Sequence, residues 1–161
     1  MPVKDNFTEG EWSLLRDAPN YVALAVSMAG ASGVFGTLGE VMAAGKAVYE
    51  ATSHSSELIR ALAAKDEVQA SQEALRSAAR DLEGAQLPEW VRTSALGKAR
   101  QAVAILVSKS ADDAAAYREW LQSLGVKVAE ASKEGGFLGF GGERVSEGEK
   151  KFLDELKSAL A

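Results

Sequence analysis

An all-α fold, a single-domain bundle of six to eight helices over residues 1–161, is what this sequence predicts. Three observations carry that reading. Alanine is abundant and aromatic residues make up only 7%, a balance that favours close-packed helices, since alanine is the best helix former and strands favour β-branched and aromatic residues. Apolar residues recur at helical spacing in segment after segment, and nowhere alternate as a half-buried strand requires. Three Ser/Thr-x-x-Glu boxes stand where helices should begin, and glycines and prolines stand where they should end.

Thr8-Glu9-Gly10-Glu11 is the first box, and it opens a helix carrying Trp12, Leu14 and Leu15. Pro19 is expected to end it, because its nitrogen cannot donate and its ring disfavours helical geometry at Ala18. Pro19 also suits the first turn of a second helix, in which Val22, Val26 and Ala29 recur beside Leu24, Ala25 and Met28. A helix apolar nearly all round belongs at the centre of a bundle. Gly30, Gly33 and Gly36 then break the chain.

Thr37-Leu38-Gly39-Glu40 starts a helix with Val41, Val48 and Tyr49 inward, and Gly45 offers a place for close helix contact. Thr52–Ser56 is either a break with a new cap or the exposed part of one long helix; Leu58, Ile59 and Leu62 resume the apolar face. Val68, Leu75 and Leu82 then form a narrow stripe on a polar helix that Gly84 is expected to end. Such a stripe suits an outer helix clasping the bundle, with coiled-coil dimerisation as the alternative.

Pro88 opens a helix with Trp90, Val91, Ala95, Ala99, Val103, Leu106 and Val107 inward. Ser110-Ala111-Asp112-Asp113 restarts the chain with acids at the positive helix end, and Tyr117, Trp120, Leu121, Leu124 and Val128 make the next stripe. Residues 134–142 hold too many glycines for a helix. Ser146-Glu147-Gly148-Glu149 is the third box, before Phe152, Leu153, Leu156 and Leu160. The expected core includes Trp12, Val26, Val48, Leu106, Trp120, Leu124 and Leu156.

Charge and composition narrow the function. The hydrophobic fraction of 47% and charged fraction of 25% are those of a globular chain. Net charge is −5, carried wholly by residues 1–84, and the longest cationic run is the pair Lys150–Lys151, so nucleic acid is not an expected partner. With no cysteine, disulfides, thiolate nucleophiles and thiolate zinc sites are excluded. The longest apolar stretch, Tyr21 to Phe35, falls short of a membrane span, and no signal peptide is visible, so a cytoplasmic setting is expected.

Two stretches share a layout. Met28-Ala29-Gly30-Ala31-Ser32-Gly33 leads through a Gly/Phe segment to Thr37-x-x-Glu40. Val128-Ala129-Glu130-Ala131-Ser132 leads through a longer Gly/Phe segment to Ser146-x-x-Glu149. Each reads helix, glycine turn, capping box, helix, a pseudo-repeat near residues 20–50 and 117–160. In this layout the chain resembles the TerB-like, tellurite-resistance-associated proteins, most closely at Val145-Ser146-x-x-Glu149 with Phe152, Leu153 and Leu156. The resemblance implies an all-helical fold and a stress-response setting. In that family the turns typically carry Asp-Gly and further acids thought to engage divalent metal. This chain departs from the pattern: Ala31–Gly36 contains no Asp, and the second turn has Glu134, Glu143 and Glu147 without Asp-Gly.

The candidate residues follow. Glu143, Glu147 and Glu149, near the second glycine turn, could gather oxygen ligands and are the metal candidates, although their spacing is not that of an EF-hand. His54 is the only histidine, without a companion ligand or nucleophile, so it is expected to be a lone exposed His. Gly135–Gly142 lacks the Gly-Lys-Ser/Thr ending of a phosphate loop; its octet holds five glycines with Phe137, Leu138 and Phe140. Large apolar groups on a glycine-rich segment either tuck into the bundle or meet a partner or a membrane surface, so these three are the partner-binding candidates. The expected function is a non-catalytic helical protein acting through protein–protein contact, with no cofactor. A divalent-metal or small-ligand binder using the inter-helix turns is the alternative, and an enzyme is third, since one His and no Cys leave few nucleophile–base pairs.

Overall fold

The computed structural model describes residues 2–30, 44–84, 86–134 and 145–161, the side chains of 131–134 apart. Among them are seven α-helices and no strand: α1 (Glu9–Gly30), α2 (44–49), α3 (Glu57–Leu62), α4 (Lys65–Ala79), α5 (Gln86–Lys109), α6 (Ala111–Glu134) and α7 (Glu147–Leu160). Short 3-10 segments occupy Val3–Asn6 and Glu50–Ser53. The all-helical expectation holds, and Trp12, Val26, Val48, Leu106, Trp120, Leu124 and Leu156 are all buried.

The first box works as expected. The Thr8 hydroxyl accepts from the Glu11 amide at 3.2 Å, and the Glu11 carboxylate accepts from the Thr8 amide at 2.8 Å. The Thr8 amide, with Lys109 behind it, holds the Glu11 carboxyl below the usual range. Phe7 before the cap packs on Trp12 with ring centroids 5.9 Å apart, a hydrophobic staple that sets the chain's entry angle.

Pro19 does not end this helix: α1 runs through it to Gly30. A proline within a helix removes the amide that would bond the carbonyl four residues back, here Leu15. The Tyr117 hydroxyl, from α6, donates to that carbonyl at 2.9 Å. Burial, and then the charge of Asp17, push the Tyr117 hydroxyl well above its ordinary pKa, so it stays a donor. The lost helical bond is thus replaced by a tertiary one, which links α1 to α6.

The continuous α1 is the centre of the bundle and packs on α4, α5, α6 and α7. Val22, Ala23, Leu24, Ala25 and Val26 are all buried, so this stretch is enclosed all round. Helix α5 runs antiparallel to it: Lys109 reaches Glu11 at 3.3 Å, while Trp90 stacks obliquely on Tyr21 at 5.7 Å. Helix α6 runs parallel to α1, with Tyr117 at Leu15 and Gly125 at Val26. The α5–α6 break is capped as expected, the Ser110 hydroxyl accepting from the Asp113 amide at 3.3 Å. Helix α7 returns antiparallel to both. Gly148 lies on the Ala29 carbonyl, Leu153 on Gly125, and Arg118 Nε donates to the Leu160 carbonyl at 2.7 Å.

Helices α2 to α4 form an outer flank. The polar stretch at 52–56 is a break: the Ser56 hydroxyl caps α3 by accepting from the Ile59 amide at 3.3 Å. Gly45 does mark a close contact, since a Cβ there would lie 1.9 Å from Gln72 Nε2 of α4. Helix α4 is the expected outer helix, with Val68 and Leu75 buried and Leu82 partly so. It stops at Ala79, five residues before Gly84, which adopts φ +55 in the following turn. Two inward expectations fail. Val107 is 54% exposed and Tyr49 is 47% exposed, each lying near a helix end. The Thr37–Glu40 box, Val41 and the first glycine turn of the pseudo-repeat lie outside the described residues.

Candidate functional site

Helix direction brings one end of the bundle into focus. The last described residues of the parallel α1 and α6, Gly30 and Glu134, lie there, and the antiparallel α7 begins there. The joint between α1 and α7 is built on glycines. A Cβ on Gly148 would lie 2.4 Å from the Ala29 carbonyl oxygen, so only glycine lets the first turn of α7 rest on the last turn of α1.

Glu149 occupies the same joint. Its Oε2 accepts from the Ser146 amide at 2.9 Å, and the Ser146 hydroxyl accepts from the Glu149 amide at 3.2 Å. Its other oxygen lies over Gly30, where any Cβ would approach to 1.9 Å. The residue is 2% exposed. Glu149 therefore serves as a capping carboxylate that fixes the start of α7 against the end of α1. Glu147 is exposed in the first turn of α7, and Glu143 lies outside the described residues. No group of three or more His, Cys, Asp or Glu able to hold a metal ion stands among the described residues. Phe137, Leu138 and Phe140 also lie outside them.

His54 is a half-buried cap rather than an exposed side chain: its Nδ1 accepts from the Ser56 amide at 3.0 Å, and its carbonyl accepts from Arg60 at 2.7 Å. The imidazole is occupied in shaping the turn before α3. No helix of the described residues is long and apolar enough to cross a membrane.

Two polar constellations escaped sequence reasoning. Along α5 and α7 an open groove of about 720 Å³ is lined by Arg92, Arg100, Lys150, Lys151, Asp154 and Glu155 among others. Arg92 forms a two-pronged pair with Glu155, at 2.9 and 2.8 Å, and also reaches Glu89 at 3.0 Å. Hydrogen bonds from Arg92 hold the Glu155 carboxyl below its usual range, and Glu155 in turn raises the guanidinium. Within the groove Arg92 and Glu155 satisfy each other, while Arg100, Lys150 and Lys151 stand along its walls with Asp154.

The second constellation joins α1 to α4. Lys4 meets Glu67 at 2.7 Å, Arg16 lies 3.8 Å from Glu67, and Arg16 bonds Asp17 at 2.9 Å. Asn20 Oδ1, Ser71 Oγ and Trp12 Nε1 are buried with no hydrogen-bond partner among the described residues. A signal for this seam was present: Trp12, Arg16 and Asn20 recur every four residues, one face of a helix. Ending the helix at Pro19 divided that face and hid it. Comparison of the chain with protein-family models, curated proteins and solved structures finds no match. Function therefore has to be argued from the arrangement of residues.

Proposed function

We propose that this chain is a non-catalytic helical protein that binds another protein through the end of the bundle where α1 and α6 finish and α7 begins. One observation supports the reading. Gly30 of α1 and Glu134 of α6 lie at this same end, because α1 and α6 run parallel, and α7 starts beside Ala29. In the sequence, Phe35 and Leu38 follow Gly30, and Phe137, Leu138 and Phe140 follow Glu134. Apolar side chains are stabilised by leaving water, at about 25 cal/mol per Å². A protein surface supplies that cover without requiring a catalytic group. A stress-response setting enters only through the resemblance to TerB-like proteins at Ser146–Glu149.

Photo-crosslinking from position 137 in cells, with exposed Gln101 on α5 as the control position, tests this reading. The expected result is a discrete protein adduct from position 137 that is absent from position 101 and lost in the double variant Phe137→Ser, Phe140→Ser. Equal adducts from the two positions, or adducts untouched by the double change, would remove the proposed site. Calorimetry with Ca²⁺, Mg²⁺ and Zn²⁺ on the same protein distinguishes the divalent-metal alternative, which requires saturable heat.

A further inference from the structure

Helix α4 is attached differently from the other long helices. The fourteen-residue α7 buries Phe152, Leu156, Ala159 and Leu160, whereas the fifteen-residue α4 buries only Val68 and Leu75 among its apolar residues. The other buried positions of α4 are polar, Glu67 and Ser71. Glu67 is held by Lys4, which is itself 55% exposed, and at longer range by Arg16. Ser71 Oγ on α4 and Asn20 Oδ1 on α1 are buried without a partner among the described residues. No side chain caps the α4 N-terminus, where the capping position is Ala64.

These features lower the cost of lifting α4 as a unit. Detachment exposes two apolar anchors, but it returns to water two polar atoms whose burial is unfavourable and charges whose pairing offsets their desolvation only in part. Removing α5, α6 or α7 would instead open the apolar core around α1. Both connections of α4 are turns, at Ala63–Ala64 and at residues 80–84. Regions with few buried apolar contacts open in cooperative units below the global unfolding energy.

We propose that α4 is a strap that opens on its own while α1, α5, α6 and α7 stay packed, baring the polar side of α1 built on Arg16 and Asn20. This goes beyond the partner-binding reading and does not depend on it. Hydrogen exchange of the full chain, followed by mass spectrometry across sub-denaturing urea, tests it. In the wild-type chain, amides of α4 are expected to exchange at least about 10-fold faster than those of α1, α5 and α6, through one shared opening whose rate rises with urea. The variant Leu124→Ala, in the core stripe of α6, separates the alternatives. It should speed exchange of α5 and α6 amides by about 30-fold or more, the lower end of a core truncation. It should leave α4 exchange unchanged, because Leu124 remains packed when only the strap opens. Equal acceleration of α4 and the other helices would overturn the proposal, since α4 would then open only with global unfolding. Urea-independent exchange along α4 would overturn it too, as ordinary local fluctuation. The urea series on the wild-type chain needs no variant, so it decides the matter even if Leu124→Ala fails to fold.

Discussion

Replacing Tyr117 by Phe removes a single oxygen from the centre of the bundle, and the structure gives that oxygen one specific task. It donates at 2.9 Å to the Leu15 carbonyl, which Pro19 deprives of its helical donor. Tyr117 and Leu15 are both 0% exposed, so no water can take over. A net hydrogen bond contributes about 0.5–1.5 kcal/mol, and leaving a buried acceptor unsatisfied costs about 1–3 kcal/mol. Tyr117→Phe should therefore destabilise the chain by about 1–3 kcal/mol. The cost should depend on residue 19. In a Pro19→Ala background the amide at 19 can bond Leu15 directly, and Tyr117→Phe should then cost about 1 kcal/mol less. Urea denaturation of the four proteins, followed by helical circular dichroism, gives the cycle, in which separate effects of cavity and helix propensity cancel. If Tyr117→Phe costs the same in both backgrounds to within about 0.3 kcal/mol, the usual additivity limit, the compensation argument is wrong.

Three further outcomes follow from the packing and electrostatics. Gly148→Ala should destabilise by about 1–3 kcal/mol through overpacking against the Ala29 carbonyl, whereas Gly97→Ala, with open space around it in α5, should stabilise by about 0.5–1 kcal/mol; chemical denaturation reads both. Leu124→Ala should cost about 2–5 kcal/mol in the same assay, and a change below about 0.5 kcal/mol would place its stripe outside the core. Burial, with Asp17 nearby, pushes the Tyr21 hydroxyl up to about 12 from 10. Its folded pKa is raised, so the stability it contributes is complete below pH 10 and is lost as pH rises from 10 toward 12, at up to about 1.4 kcal/mol per pH unit. Tyr21→Phe should flatten that alkaline decline, measured by denaturation at stepped pH; an unchanged slope would refute it.

What was legible in the sequence was local. The boxes at Thr8–Glu11 and Ser146–Glu149 join groups three residues apart, so their chemistry is visible without a fold. The stripe Tyr117, Trp120, Leu121, Leu124 and Val128 is buried throughout because one face of α6 serves α1 and α7 along most of its length. What was not legible depended on distant residues. Pro19 was misread because its compensating donor lies 102 residues beyond the carbonyl it rescues. Val107 and Tyr49 carry apolar side chains at helical spacing, yet both are exposed, because spacing alone does not say which neighbour covers a given turn. Glu149 makes the capping box that the Ser146-x-x-Glu149 spacing predicts. Arg92 and Glu155 are separated by 63 residues, and nothing local joins them.

The joint between α1 and α7 also limits how this chain can vary. Gly148 rests on the Ala29 carbonyl and Glu149 lies over Gly30, so a side chain at residue 30 or 148 would prise the two helices apart. Both positions are therefore closed to every other amino acid while this packing is kept, although neither binds or reacts with anything.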